Sequence, residues 1–340
     1  MYRILIKTIL YSIIVFIFLI AYLSTFGIKT SKFNEQIKEN IKKIDERINL
    51  KIDKVYLKLD LRNFAVNVNT GNTVVSIEDS SINLKEINTN ININNLLNDH
   101  EIINSIEIKT KQNSINKVGK FINTYKFNLA NFFLFNQIKR GNVIFNLKIK
   151  PNKNLQNNYE VNADGRIINC NLFVLNNYNI EDINLTFNYT NNEINLSDTS
   201  FDFDKLKIES NNIKILKDGK NYKINGNLKS LPGKINTKLI NDIFFIKSEY
   251  SFDENDSKLE SNTEFSFELN NKYKFKNPKV NSILKIDKLD FNYKNASLSK
   301  YIPDFKNKIY LKKNRLKVNY DENKIIINLQ NQYSFKEKYD

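Results

Sequence analysis

An uninterrupted apolar stretch comes first in the pattern of hydrophobic and polar positions. Residues 9–27 are almost entirely apolar, and there is no charged residue between Lys7 and Lys29. A helix of about 20 apolar residues spans a hydrocarbon core of roughly 30 Å. A cleaved signal peptide would have a shorter apolar core and a small-residue cleavage site, whereas this stretch ends in the sequence LSTFGI. We therefore predict a short tail at 1–8 and a transmembrane anchor at 9–28, with Ile9, Ile13, Phe16, Leu19 and Leu23 among its apolar positions.

A second pattern follows the predicted anchor, with apolar residues spaced three or four apart. Phe33, Ile37, Ile41, Ile44 and Ile48 recur at this spacing, and charged residues occupy most of the positions between them. Such a stripe is one face of an amphipathic helix. The spacing predicts an amphipathic helix at residues 29–49, between the anchor and the rest of the chain.

From about residue 50 the apolar period changes to two. Leu57 and Leu59 alternate with Lys58 and Asp60, for example, and the same rhythm recurs to the end of the chain. Short alternating runs separated by Asn, Asp and Gly turns are typical of consecutive antiparallel strands. The pattern therefore predicts a mainly β body over residues 50–340.

Two segments interrupt the alternation. Residues 94–99 resemble a short helical turn, and residues 114–139 place apolar side chains at helical spacing, which predicts a helical insert packed over the sheet. No change of composition marks a linker, and the chain has only eight glycines and four prolines. We therefore expect one continuous β body.

Nearly every predicted strand has one apolar and one polar face. This is the pattern of an antiparallel sheet that contacts water on one side. Two such sheets packed face to face would bury their apolar faces in a sandwich. One long sheet folded into a trough with an apolar interior would satisfy the pattern equally well, and the alternation leaves both arrangements open.

The sequence contains no recognisable catalytic or metal-binding motif. The single histidine, His100, lies in a polar stretch without a recognisable partner, and the single cysteine, Cys170, lies in an alternating segment typical of a small core residue. Asp198, Asp202 and Asp204 lack the glycine and terminal glutamate of a calcium loop. We predict a protein that is not an enzyme and that needs no metal or cofactor.

The chain is strongly basic, with a formal net charge of +15. Its lysines are spread along the polar positions of the predicted strands, without an arginine-rich stripe or an aromatic RNA-binding motif. A solvated polar face explains this distribution, and positive charge next to anionic headgroups also favours a membrane surface. We do not predict nucleic acid as a partner.

The order of these elements resembles the AsmA-like family of Gram-negative envelopes, in particular its YhdP- and TamB-type members. The resemblance covers nearly the whole chain and depends on its succession of strands: an anchor and an amphipathic helix lead into repeated alternating segments. The segments that carry it are 54–61 (KVYLKLDL), 64–68 (FAVNV), 77–84 (IEDSSINL), 102–108 (IINSIEI), 159–172 (YEVNADGRIINCNL), 180–187 (IEDINLTF) and 222–228 (YKINGNL).

This resemblance implies a bridge-like lipid-transfer protein, anchored once in the inner membrane with its body in the periplasm. Its β-trough would carry phospholipid acyl chains on an apolar face toward the outer membrane, with an envelope protein as a further partner. The chain is shorter than the long members of the family, which implies a short member or the N-terminal part of one. A non-conducting envelope scaffold or outer-membrane assembly factor is the alternative function. The candidate groove residues are Leu59, Phe64, Val66, Phe187, Phe265 and Phe291.

Overall fold

The computed structural model is mainly β, 70% strand, with an apolar N-terminal helix and a large antiparallel sheet, which confirms the predicted fold class at this level. The chain divides into two compact units: Met1–Arg166 with Tyr189–Asn191, and Ile167–Asn188 with Asn192–Asp340. The structure describes residues 2–93, 103–127, 132, 135–152, 159–174, 178–219, 221–234, 250–252, 257–270, 274–293, 301, 308–321 and 324–334.

Three helices lie in the first unit: α1 (Tyr2–Thr25), α2 (Asn34–Ile44) and α3 (Ile115–Tyr125). The part of α1 from Ile6 to Thr25 is long enough and apolar enough to cross a membrane. α1 begins inside the predicted tail and ends three residues before the predicted end of the anchor at residue 28. The reason is Gly27, whose positive φ of 67° reverses the chain so that Ile28 begins a strand.

α2 is shorter than the predicted 29–49, because strands occupy both ends of that range. α3 lies in the predicted insert, where Phe132 and residues 135–137 are also helical. The predicted turn at 94–99 lies outside the described residues.

The strands of the first unit form a meander in which β1, β3, β4, β6, β7 and β9 pair antiparallel in that order. β2 pairs with β5, β5 with β6, and β8 with β9. β10 begins in this unit and ends in the second one. The strand bounds are β1 (Ile28–Thr30), β2 (Ile48–Lys51), β3 (Lys54–Asp60), β4 (Ala65–Gly71), β5 (Val74–Ile77), β6 (Ser80–Asn92), β7 (Ile103–Thr110), β8 (Asn113–Ser114), β9 (Ile138–Pro151) and β10 (Tyr159–Val174).

The core of the first unit lies where α2 packs on the sheet. Leu50, Ile52 and Val55 are buried together, and Ile37 and Ile41 of α2 pack against them. The alternating pattern and the helical stripe predicted from the sequence therefore meet in one cluster. The Asn34 side chain at the start of α2 donates to the carbonyl oxygens of Ile52 and Asp53, at 3.2 and 3.3 Å.

In the second unit, β12 pairs with β13 and β14, and both of these pair with β15. The sheet continues through β17, β18, β19 and β20, while β16 pairs with β18. The strand bounds are β11 (Tyr178–Thr190), β12 (Glu193–Phe203), β13 (Leu206–Ser210), β14 (Ile213–Asp218), β15 (Asn221–Lys234), β16 (Tyr250–Phe252), β17 (Lys258–Leu269), β18 (Phe275–Tyr293), β19 (Lys308–Asp321) and β20 (Lys324–Ser334).

Candidate functional site: the two faces of the sheet

One row of register partners across seven strands of the second unit is apolar except for the hydroxyl group of Tyr320. The alternation within each strand and the register between strands together place these residues in one row. Most of the side chains in the row are half-buried, and Ile325 on β20 is 62% exposed. The successive register partners are Leu196, Ile213, Gly226, Phe265, Val280, Tyr320 and Ile325.

Glycine at position 226 makes room for an aromatic ring within this row. A Cβ at Gly226 would lie 3.1 Å from Cζ of Phe265 and 3.0 Å from Cγ1 of Ile213. The Phe265 ring also stacks on Phe267 at a centroid distance of 6.0 Å, and Phe267 contacts Phe275 at 4.9 Å. The row therefore has a cluster of rings near its middle.

Few apolar side chains of the second unit are fully buried. Among the residues whose burial the structure describes in this unit, they are Cys170, Leu206, Ile224 and Ile286. A closed two-layer sandwich buries most of the inward side chains of both sheets. Within the described residues, most apolar side chains of this row are instead only half-buried, and part of their surface is exposed to solvent.

The first unit has a comparable apolar face that extends beyond its core. Leu59 on β3 lies opposite Val66 on β4, and Val66 lies opposite Ile91 on β6. Ile106 on β7 and Ile149 on β9 are also register partners on this sheet. All five side chains are half-buried.

The structure therefore brings together some of the predicted groove residues and separates others. Leu59 and Val66 are cross-strand partners, whereas Phe64 lies in the turn between β3 and β4, where it is 51% exposed with φ of 46°. Phe187 is half-buried in β11 of the second unit. Phe291 in β18 pairs through its backbone with Ile309 of β19 and Phe252 of β16.

The opposite face of the first unit forms a polar groove with a volume of about 1130 Å³. We call it the asparagine groove. A row of register partners crosses this face over six strands, β1, β3, β4, β6, β7 and β9, and all of its members except Lys29 line the groove. The row consists of Lys29, Tyr56, Asn69, Asn88, Glu107 and Lys148.

Hydrogen-bonded amides connect neighbouring strands along this groove. The Asn104 amide donates to Oδ1 of Asn90 at 2.8 Å, and the Asn90 amide donates to Oδ1 of Asn67 at 2.7 Å. Asn67 in turn donates to Asp60. In the adjacent row, the Asn69 amide donates to Asn88 and to Glu86. The Asn side chains are thereby held in fixed orientations.

An ion pair borders the second of these rows. Nζ of Lys109 lies 2.6 Å from Oε1 of Glu86 and 3.8 Å from Oε1 of Glu107. The hydrogen bond from Lys109, and then that from Asn69, lower the pKa of Glu86, while the hydrogen bond to Glu86 raises the pKa of Lys109. Both groups are therefore charged at neutral pH.

The asparagine groove was not predicted from the sequence, because asparagine was considered there only as a residue of the turns between strands. The available signal was the spacing of the asparagines: Asn67 and Asn69 on β4, and Asn88, Asn90 and Asn92 on β6, occur at every second position. In a strand this spacing places all of them on one face.

Metal-ligating side chains do not converge in the part of the chain that the structure describes. No group of three or more His, Cys, Asp or Glu that could hold a metal ion occurs among the described residues. His100 lies outside them. The Cys170 thiol is buried, as predicted for a small core residue, and burial raises its pKa.

Comparison of the chain with family models, with curated proteins and with solved structures finds no match.

Proposed function

We propose that this protein is anchored in a bilayer by α1 and binds phospholipid acyl chains along the apolar face of its sheet. The observation that supports this most directly is the seven-strand row through Phe265, which is apolar except for the Tyr320 hydroxyl and is mostly half-buried. At about 4.8 Å between strands, such a row extends over roughly 29 Å. An acyl chain that leaves water for such a face gains about 25 cal/mol per Å² of apolar area buried.

The resemblance to the AsmA-like family supports the same proposal and extends it. By this analogy α1 lies in the inner membrane, the body lies in the periplasm, and the sheet forms a trough that conducts phospholipid toward the outer membrane. Transfer along a continuous apolar surface requires no catalytic residue, because no covalent bond changes.

The experiment is native mass spectrometry of the full-length chain purified in detergent from a Gram-negative host, followed by lipid extraction. We expect several phospholipids per chain in the wild type. The Phe265→Asp variant places a charge on the apolar row and should lose most of them, since an unpaired charge is covered by an apolar chain only at a far higher cost than a neutral polar group.

Two matched controls separate lipid binding from folding. Ser266→Asp introduces the same charge on the opposite face of β17, where Ser266 lies between Asn225 and Lys279, and it should retain the lipid. Phe187→Asp and Asn188→Asp form a second pair of this kind on β11. A folded wild-type chain without lipid, or equal lipid loss in Phe265→Asp and Ser266→Asp, contradicts the proposal.

A second function, that of an envelope scaffold, is favoured by β20. All the described side chains from Lys324 to Gln330 are exposed, and β19 is the partner strand of β20 within the described residues. An exposed strand edge is a template for pairing with another chain. Cysteine-directed cross-linking from position 328 in intact cells would test this function. A specific cross-linked envelope protein supports the scaffold, and a cross-link to lipid alone contradicts it.

A further inference from the structure

The asparagine groove is a separate feature from the apolar faces, and the proposed function does not use it. It lies on the opposite side of the strands that carry Leu59 and Val66, since Lys58 and Asn67 alternate with those residues along β3 and β4. We propose that this groove is a binding site for an anionic polyol, that is, a sugar or glycerol-type ligand that carries a phosphate, sulfate or carboxylate group.

The amide rows match the hydroxyl groups of such a ligand. Each Asn side chain has two N–H donors and two acceptor lone pairs, and a ligand hydroxyl likewise both donates and accepts. Asn90 uses one donor toward Asn67 and one acceptor site for Asn104, so that one of each is left. Because the rows already fix the amides, little side-chain entropy is lost when they bind a ligand.

The charged residues of the groove favour an anion. Three lysines line it, Lys58, Lys148 and Lys150, together with one carboxylate, that of Glu107. None of the three lysines forms an ion pair with a described residue, whereas Glu107 lies near Lys109 as well. A phosphate or carboxylate group would therefore be attracted to the side of the groove that these lysines form.

One end of the groove adjoins α1. Phe26, which follows α1 directly and is 76% exposed, lines the groove together with Tyr56. Nζ of Lys29 lies 5.1 Å from the centre of the Tyr56 ring. If α1 spans a bilayer as proposed above, this end lies at headgroup level, so the polyol could be a lipid headgroup as well as a free glycan or sugar phosphate. The placement rests on the proposed anchoring, whereas the chemistry of the groove does not.

The test is calorimetric titration of the full-length chain in detergent with two probes. Glycerol 1-phosphate represents a free anionic polyol, and dihexanoyl phosphatidylglycerol represents the same chemistry in a lipid headgroup. Binding of the first probe supports a free ligand, and binding of the second alone supports a headgroup. A chain that binds neither probe overturns the proposal.

Variants then assign the binding to the groove. The double variant Lys58→Glu with Lys148→Glu should weaken binding roughly tenfold or more, the effect expected when a charge-assisted hydrogen bond is lost. Asn104→Ala, at the exposed end of the amide row, should weaken it as well. The charge control is Lys111→Glu, an exposed lysine of the same unit that does not line the groove. Equal loss in this control overturns the proposal.

Two further comparisons define the ligand class. Inorganic phosphate should bind more weakly than glycerol 1-phosphate, and equal affinity would mean that charge alone is recognised, which overturns the role of the amides. Phe265→Asp should leave binding of glycerol 1-phosphate unchanged, because that residue belongs to the other unit. Failure of the acyl-chain proposal and failure of this one are thus distinguishable.

Discussion

At the scale of single residues, the connection between α1 and the sheet depends on one glycine. Gly27 has φ of 67°, and a Cβ at this position would lie 2.4 Å from the carbonyl oxygen of Leu57. The next residue, Ile28, pairs with Leu57 in the first register position of β1 and β3. The absence of a side chain at residue 27 therefore allows the chain that leaves α1 to reach the sheet edge.

Replacement of Gly27 by Ala should separate β1 from β3. We expect a loss of roughly 2–4 kcal/mol in the free energy of unfolding of the first unit, since the left-handed conformation costs about 1–2 kcal/mol and the contact with Leu57 adds to it. Hydrogen exchange of the β1 amides and urea unfolding would measure the effect.

Gly219→Ala is the matched control for this substitution. Gly219 also has a positive φ, of 60°, but nothing lies within 4 Å of its Cβ position. It should show only the cost of the left-handed conformation, about 1–2 kcal/mol. Equal effects of the two substitutions would show that the close approach to Leu57 is unimportant.

The Glu86–Lys109 ion pair predicts a pH dependence. The pKa of Glu86 is lowered in the folded state. Its contribution to the stability of the folded state is therefore fully present above the unfolded-state pKa near 4.5, and it is lost as the pH falls through the lower folded-state pKa. The pKa of Lys109 is raised in the folded state. Its contribution to stability is therefore fully present below the unfolded-state pKa near 10.5, and it is lost as the pH rises through the higher folded-state pKa. Between these limits the pair stabilises the first unit.

Glu86→Gln should therefore destabilise the protein by roughly 0.2–1 kcal/mol at neutral pH, as expected for a partly exposed ion pair. The difference from the wild type should shrink below pH 4.5. Urea unfolding of both proteins across acidic and neutral pH would measure it, with Lys109→Gln as the second corner of a double-mutant cycle. A difference that does not change with pH would contradict the assignment.

At the scale of elements, local periodicity predicted those helices and strands whose pattern is contained in contiguous residues. The stripe of Ile37 and Ile41 predicted α2, and the alternation of Leu57 and Leu59 predicted β3. Periodicity could not predict that residues 28–30 form a strand, because three residues carry no pattern and their pairing with β3 depends on the turn at Gly27. The end of α1 at Thr25 depends on the same turn.

Cross-strand register was likewise inaccessible to the sequence analysis. The alternation of Phe265 and Phe267 predicted an apolar face, but only the register connects Phe265 to Val280 and Gly226. Positive φ values inside strands, as at Asn169 and Asp182, are also set by tertiary contacts. There the backbone N–H groups donate to the side chains of Asn184 and Asn171 on the neighbouring strand.

The last strand leads to a prediction about association. Ile325, Ile327 and Leu329 lie on the apolar side of β20, and each is more than half exposed: 62%, 51% and 54%. Exposed strands without charges are prone to pair with other chains, and an edge lysine suppresses this. Ile327→Lys should lower the concentration-dependent association of the detergent-solubilised protein, as measured by analytical ultracentrifugation.

Asn328→Lys is the control for this strand. It adds the same charge on the other face of β20 and leaves the apolar side intact, so it should reduce association less than Ile327→Lys does. If both variants associate as the wild type does, β20 is not the associating surface.

At the scale of the whole molecule, the boundary between the units explains why the sequence predicted one continuous body. It falls between Arg166 and Ile167, inside β10, and again between Asn188 and Tyr189, inside β11, with a return crossing in the turn after β11. A boundary within a strand produces no enrichment in Gly, Pro or Ser, because the backbone on both sides of it is extended and paired. The usual composition signal of a domain linker is therefore missing here.

The proposed anchoring by α1 can be tested on the whole molecule. If α1 spans a bilayer, the full-length chain should stay in the membrane pellet after extraction with alkaline carbonate. Ile13→Arg combined with Phe16→Arg should release it, since each arginine at the centre of a spanning helix costs about 2.5–3.5 kcal/mol. Two arginines therefore remove roughly 5–7 kcal/mol of insertion free energy.

The control places an arginine just beyond α1, at Ser31, which is exposed and follows β1. Ser31→Arg should remain in the pellet, because an arginine at that position can contact water and headgroups. Intact mass of the wild-type protein completes the experiment: a chain that has lost its first residues indicates a cleaved signal peptide, and a full-length mass in the pellet indicates a retained anchor. If Ile13→Arg with Phe16→Arg stays in the pellet, another part of the chain binds the membrane.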